Sequence, residues 1–291
     1  MNKCIITGSN GYLGSLLVKK FKDLSWDVCE FSSTKKENQV EFRLSEANSI
    51  NDKYFNNCNL LIHTSYDFSI KSNCDYNANI DGSIKLFEKA YNNGVERIIN
   101  ISTISSFKNS KSFYGKTKFE IEEKSKKFNV INLRPGLFCG SNSKIIKKIE
   151  NICNIFPLIP MIGDGSFKLH LTNYDDLFKF ILEIYKDKDL NFSKILYPCT
   201  FEPISFKQLI KIISNNKKTF SVPLSLIFFA LKILGILKIN LPLDLDNLRG
   251  LVYYSDEINF DDTKKYKTEF KSLWNIIIFF LIYTTYSINT I

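Results

Sequence analysis

The stretch that most constrains the fold is Lys3-Cys-Ile-Ile-Thr-Gly-Ser-Asn-Gly-Tyr-Leu-Gly14. Cys4 to Thr7 is a short apolar run of the kind a buried strand makes, and it breaks into glycines at Gly8, Gly11 and Gly14. Apolar residues then recur at Leu13, Leu16, Leu17 and Phe21, the spacing of a helix with one buried face. Strand, glycine turn and helix in that order predict a dinucleotide site. Gly8 allows the tight turn, Gly11 a close approach of backbone to pyrophosphate, and Gly14 the packing of helix on strand. The helix N-terminus offers amide groups and partial positive charge to the phosphates. Asn10, Tyr12 and Leu13, between the glycines, are further expected cofactor contacts. The spacing is Gly-x-x-Gly-x-x-Gly rather than Gly-x-Gly-x-x-Gly, and a plain βα turn can share it. The strand and helix on either side carry the reading.

The alternation continues downstream. Trp26–Phe31, Gln39–Leu44, Asn59–His63, Arg97–Ser102 and Val130–Leu133 read as strands, and Tyr76–Asn93 and Phe113–Lys127 as helices. Strands alternating with helices predict an α/β fold with a doubly wound parallel sheet of the Rossmann type. Ligands of such sheets bind at the carboxyl ends of the strands. Past Gly140 the alternation weakens. Pro157, Pro160, Gly163 and Gly165 mark a loop, followed by helices at Tyr174–Tyr185, Phe206–Ile213, Leu224–Leu237 and Leu243–Leu251 and a strand at Lys194–Tyr197. The expected organisation is a dinucleotide-binding domain at 1–140, with 172–200 returning to it, and a smaller, mainly helical substrate lobe at 141–171 and 201–291.

The strongest chemical signal is Tyr114-Gly-Lys-Thr-Lys118. Positions four apart on a helix share a face, so Tyr114 and Lys118 point the same way. A phenol is a poor acid-base group at neutral pH, and a nearby ammonium lowers its pKa. Tyr114 is therefore expected to exchange a proton with a substrate oxygen. The preceding strand ends in Ile101-Ser-Thr-Ile-Ser-Ser106, a set of hydroxyls able to hydrogen-bond the same oxygen or simply to form a turn.

Composition narrows the alternatives. The formal net charge of +9 favours anionic ligands, including a sugar on a nucleotide diphosphate. The lysines are scattered and no nucleic-acid-binding motif accompanies them. The seven cysteines form no C-x-x-C pair, and with only two histidines neither a zinc site nor a histidine-rich metal site is expected. Reduced cysteines and the absence of a signal peptide before the first strand lead to a cytoplasmic expectation. Val222–Ile239 is interrupted by Pro223, Lys232 and Lys238, and Ile276–Tyr283 is short. Neither reaches the roughly 20 apolar residues of a spanning helix, so core helices are expected, with peripheral membrane contact as the alternative.

Taken together, Thr7-Gly8-x-x-Gly11-x-x-Gly14, Ile62-His63, Asn79, Ser102-Thr103 and Tyr114-x-x-x-Lys118 resemble the extended short-chain dehydrogenase/reductases, in the branch of NAD-dependent epimerases and dehydratases acting on nucleotide sugars. Leu133-Arg134-Pro135-Gly136, Gly163-Asp164-Gly165 and His170 to Leu177 extend the likeness. The resemblance implies Tyr114 as acid-base and Lys118 as the residue that binds the nicotinamide ribose and lowers the tyrosine pKa. It implies Thr103 as the residue orienting the sugar oxygen, with Ser102 second, and Asn79 as support for the lysine side of the site. His63, Thr64 and Ser65 would line the cofactor, though His63 also reads as a structural residue closing an apolar strand. Arg134 and Pro135 would border the nicotinamide, and Ser102 is a further expected cofactor contact. A homodimer is the implied assembly.

Two departures refine this. The acid that reads the ribose of NAD should close the second strand, and Ser32 stands there, followed by Ser33, Thr34, Lys35 and Lys36. Hydroxyls and lysines suit a 2′-phosphate, which favours NADP, while Glu30 keeps NAD open. Thr103 is followed by Ile104-Ser105 rather than the Asp-Glu pair of 4,6-dehydratases, which removes the groups for water elimination. The reading is NAD(P)-dependent hydride transfer on a nucleotide-activated sugar, as a 4-ketoreductase. The alternatives are a 4-epimerase holding NAD tightly and a non-catalytic dinucleotide-binding protein.

Overall fold

The computed structural model describes residues 1–70, 77–139, 143–190, 193–236, 245–254 and 258–270. The apolar stretch Ile276–Tyr283, like Gly140, lies outside the described residues. The chain divides into two compact units. The first is Met1–Pro135 with Phe178–Tyr197 and Tyr254–Thr268; the second is built mainly from Gly136–Leu177 and Pro198–Tyr253.

In the first unit, β1 (Lys3–Thr7), α1 (Tyr12–Asp23), β2 (Asp27–Ser32), β3 (Val40–Glu41), β4 (Leu60–His63), α2 (Ala78–Asn92), β5 (Arg97–Ile101), α3 (Phe113–Ser125) and β6 (Val130–Leu133) follow one another. A seventh strand, Ile195–Leu196, returns to the sheet beside β6. All the pairings are parallel, in the order Ile195–Leu196, β6, β5, β4, β1, β2, β3. The order reverses direction between β1 and β4, which places the ligand crevice of a doubly wound sheet at their carboxyl ends. The central strands are apolar throughout because helices cover both faces: Cys4, Ile5, Ile6, Leu60, Leu61 and Ile62 are fully buried.

One level of this sheet breaks the apolar rule. Thr7 lies opposite His63, His63 opposite Asn100, and Asn100 opposite Asn132 in the parallel register. Thr7 Oγ1 is 2.8 Å from His63 Nδ1, and Asn100 Nδ2 donates to Asn132 Oδ1 at 2.8 Å. The row sits just below the strand ends from which the functional loops emerge.

The helices start where local chemistry requires. Asn77 caps α2 by accepting from the Asn79 amide, and Ser112 caps α3 by accepting from the Gly115 amide at 2.9 Å. Gly94, with φ of +72°, follows the end of α2. On α2, a Cβ at Gly82 would lie 2.1 Å from the Leu44 carbonyl oxygen, so this helix packs closely on the crossover from β3.

Among its described residues the second unit combines helices with three two-stranded sheets, more strand than the sequence suggests. The expected loop around Pro157–Gly165 contains the strand Ile159–Ile162, paired in parallel with Thr219–Val222. Ile159 and Met161 face the core while Pro160 faces outward, a position an edge strand tolerates. The helix Lys144–Ile155 is capped by Ser143, and Phe206–Ile213 by a Ser205–Gln208 capping box. Leu224–Ile236 and Leu245–Val252 are also helical. Among the described residues no helix is long and apolar enough to cross a membrane.

Candidate active site

The site is built at the carboxyl ends of β1, β2, β4 and β5, entirely within the first unit. Gly8 leaves β1 with φ of +68°, a left-handed conformation. A Cβ there would lie 2.8 Å from Thr64 Oγ1 and 3.1 Å from the Ser65 amide, so Thr64 and Ser65 pack directly on the glycine turn. Thr64 Oγ1 donates to the Thr7 carbonyl at 2.6 Å, which fixes that approach. Gly11 is the N-cap of α1, contributes no capping side chain, and no acidic residue occupies the first turn. The turn thus keeps a bare, electropositive helix end where a pyrophosphate would lie, and the residues present fit a dinucleotide.

Asn10 reaches away from the turn toward the end of β2. Its Nδ2 donates to Ser32 Oγ at 2.8 Å and to the Thr34 carbonyl at 2.7 Å, and Gln39 Nε2 returns a bond to Asn10 Oδ1 at 3.0 Å. Asn10 therefore shapes the loop after β2. The strand ends at Ser32, one residue beyond the expected limit, so Ser33, Thr34, Lys35 and Lys36 are the exposed residues at its end. Glu30 sits within the strand, held by Lys22 at 2.5 Å and by Gln39 Nε2 at 2.7 Å. Partial burial raises its pKa, but the bonds from Lys22 and Gln39 outweigh this and the carboxyl titrates below its usual range. A cleft of about 270 Å³ opens next to this loop, lined by Lys35, Gln39, Arg43 and Tyr54 among others.

His63 is fully buried, with Nδ1 against Thr7 and Nε2 2.9 Å from Ser83 Oγ. Burial, with the nearby Lys118 charge, holds its pKa well below the usual value, so it is neutral. Both ring nitrogens are engaged within the fold, whereas Thr64 and Ser65 pack on the glycine turn.

Tyr114 and Lys118 share a face of α3, as their spacing requires. Lys118 is 1% exposed, donates from Nζ to the Ile101 carbonyl at 2.8 Å, and lies 5.9 Å from the Tyr114 ring centroid. Tyr114 is packed edge-on against Tyr66, with centroids 4.7 Å apart, and stacked on Phe68 at 5.8 Å. The expected depression of the tyrosine pKa is not what this packing produces. Burial, reinforced by Tyr66, pushes the Tyr114 phenol upward, and burial lowers the Lys118 ammonium to about 8 even though Glu122 opposes the shift. The phenol is thus held protonated, the form that can donate.

The Asn79 side chain bonds elsewhere than to the lysine, whose Nζ donates to the Ile101 carbonyl. Asn79 clasps the backbone of Asp67, accepting from the amide at 2.7 Å and donating to the carbonyl at 3.0 Å. It thereby fixes the Tyr66–Phe68 segment that covers Tyr114. Those two aromatics were not apparent as site residues, although their alternation right after a strand's carboxyl end is a readable sign. Ser102 and Arg134 also turn elsewhere. The Ser102 hydroxyl donates to Glu122, and Arg134 Nε donates to both Glu122 oxygens at 3.0 and 3.2 Å, with Nη1 3.0 Å from the Tyr197 hydroxyl. Glu122, four residues after Lys118 and 1% exposed, is the hub of this buried network. Thr103 is the partly exposed hydroxyl of the strand-end loop, and its neighbour Ile104 donates to the Pro135 carbonyl at 3.0 Å. That bond places Pro135 beside the loop.

The model of the NAD dependent epimerase/dehydratase family matches residues 4–194. The chain belongs to this family. No curated protein matches it by sequence. Among solved structures, Pal from Bacillus thuringiensis is similar over 95% of this chain and 96% of its own, at 16% identity and a TM-score of 0.69. UDP-glucose 4-epimerase from Thermotoga maritima, solved with UDP-glucose, covers 77% and 86% at 20% identity and 0.62. DesIV, a dTDP-glucose 4,6-dehydratase from Streptomyces venezuelae solved with NAD, covers 76% and 84% at 15% and 0.60. At these identities the likeness is one of fold, here the Rossmann-type α/β fold of an epimerase/dehydratase family enzyme.

In this family member the buried Lys118 carries a measurable signature. The folded chain releases its proton near pH 8, whereas an unfolded lysine keeps it to about 10.5. The unfolded state binds more protons between those values, so this group's contribution to stability rises with pH across 8 to 10.5. Lys118→Met is expected to be more stable than the parent at pH 7 by about 2–3 kcal/mol, with the difference closing by pH 10.5. Denaturant unfolding of both proteins at several pH values checks this; a difference independent of pH would show that Lys118 titrates normally.

Proposed function

We propose that the protein is an NAD(P)-dependent reductase of a nucleotide-activated 4-ketosugar, with Tyr114 as the proton donor. The observation that carries this reading is geometric: Tyr114 and Lys118 share one face of α3 at the carboxyl end of β5, with the buried Lys118 held by the Ile101 carbonyl at 2.8 Å and 5.9 Å from the Tyr114 ring centroid. Reduction of a ketone requires a proton delivered to the nascent alkoxide, which a neutral phenol supplies; oxidation would need the phenolate. Gly8, Gly11, Thr64 and Ser65 would hold the dinucleotide, and Lys118 its ribose. The bound nicotinamide supplies the hydride. Thr103 orients the sugar oxygen, and the Tyr66–Phe68 segment keeps water from the phenol. The second unit is the substrate lobe. The matched family and the nucleotide sugars and NAD of the similar structures support the substrate and cofactor classes.

The exposed Ser33, Thr34, Lys35 and Lys36 at the end of β2, with Glu30 held by Lys22 and Gln39, favour NADPH. The purified protein is expected to bind NADPH at least about tenfold tighter than NADH and to oxidise it in the presence of a nucleoside-diphosphate 4-ketosugar. Retention of NAD through purification, together with interconversion of UDP-glucose and its 4-epimer, would replace this reading with a 4-epimerase.

A further inference from the structure

The helix Leu224–Ile236 in the second unit contradicts the ordinary relation between sequence and burial. Its described residues carry one charge, Lys232, and apolar side chains all round, a composition that belongs in a core. None of residues 224–233 is buried. Two apolar stripes run along it at spacings of three, four and seven. Leu224, Ile227, Phe228 and Leu231 are half-buried, with Phe228 stacked on Tyr253. Leu226, Phe229, Ala230 and Ile233 face outward, with Leu226 55% and Phe229 62% exposed. The strand leading into the helix adds Phe220, also exposed. A soluble helix needs only the first stripe.

The sequence on either side of this helix carries charge of one sign, and the helix Leu245–Val252 packed against it adds one acid, Asp246, and one base, Arg249. From Pro203 to Leu243 the sequence contains six lysines and neither aspartate nor glutamate. Lys207, Lys211, Lys217, Lys218 and Lys232 are exposed. An acidic surface complements this set. A second copy of the chain does not, because a two-fold contact through the stripe would bring Lys232 toward its own image without an acid from this region to answer it. The thirteen described residues of the helix extend about 20 Å, and among the described residues no helix is long and apolar enough to cross a bilayer; an exposed apolar stripe of this length can lie in the headgroup layer.

We propose that the outer stripe of Leu224–Ile236, with Lys232 on the helix and the lysines of the sequence leading into it, docks the protein on an anionic lipid surface. The apolar side chains enter the boundary between headgroups and acyl chains, and the lysines pair with the phosphates above it.

Flotation of the full chain with vesicles of phosphatidylcholine alone, or of phosphatidylcholine with phosphatidylglycerol, tests this. The protein is expected to float with the anionic vesicles only, and higher salt should weaken the association. The paired substitution Leu226→Glu with Phe229→Glu should lower vesicle binding by about tenfold or more, and Lys218→Glu with Lys232→Glu should remove the preference for anionic lipid. Unchanged unfolding temperatures would show that both variants fold. No flotation by the parent chain overturns the proposal. So does binding that survives the Leu226/Phe229 pair, which would place the contact in another segment. A parent dimer that the pair converts to monomers without any vesicle binding would make a second copy the occupant and overturn it as well.

Discussion

Tyr114→Phe is expected to lower kcat by about a thousandfold while leaving dinucleotide affinity within about threefold. The substitution removes one hydroxyl and keeps the ring, so the edge contact to Tyr66 and the stack on Phe68 survive. The start of α3 is unaffected because Ser112 and Gly115 supply its cap. What is lost is the phenol proton on the α3 face that Lys118 shares; Tyr66, whose ring centroid lies 5.5 Å from Lys118 Nζ, keeps its own. Turnover by stopped-flow or steady-state NADPH oxidation and affinity by nucleotide fluorescence separate the two effects. A variant that retained activity within about tenfold of the parent would show that another group donates the proton.

Gly14→Ala is expected to cost about 2–3 kcal/mol of stability and at least tenfold in dinucleotide affinity. A Cβ at this position would stand 2.1 Å from the Gly8 carbonyl oxygen and 3.1 Å from the Ser9 Cα, both backbone atoms that no rotamer change can clear. Either α1 lifts from β1 or the turn opens, and both spoil the helix end facing the pyrophosphate. Gly94→Ala is the matched control. Its Cβ would meet nothing within 4 Å, so the positive φ alone costs about 1 kcal/mol and affinity should not change. Denaturant unfolding and nucleotide titration of the two variants decide the matter. Equal affinities would mean that the glycine turn does not touch the dinucleotide.

The parts of this protein that were legible in its sequence are those fixed by local periodicity. The β1–turn–α1 unit follows from an apolar run, three glycines and a helical stripe within some twenty residues. The shared face of Tyr114 and Lys118 follows from their spacing. The pairing of Tyr66 and Phe68 with Tyr114 depends instead on the path taken after β4, which Asn79 sets through Asp67, and no local pattern encodes that path. The direction of the Tyr114 shift was also hidden: an ammonium beside a phenol lowers its pKa only if burial does not outweigh it, and burial is a property of the packed state. In the second unit, Pro160 disguised a strand whose alternate residues Ile159 and Met161 are buried. The stripe Ile146, Ile149, Cys153 of the helix Lys144–Ile155 was obscured by the intervening Lys147-Lys148.

The polar row Thr7, His63, Asn100, Asn132 bears on how the catalytic edge comes to be level. A one-residue slip in any of the three strand pairs would set an apolar side chain opposite a buried amide or imidazole and move every side chain of the slipped strand to the opposite covered face. Each buried group left without its partner costs about 1–3 kcal/mol. The row therefore works as a proofreading line for assembly, rejecting misaligned sheets whose apolar side chains alone would tolerate them. Gly8, Thr64, Ser102 and Arg134 each stand one residue past the end of their strand, so a correctly proofread sheet releases its loops from a common starting line.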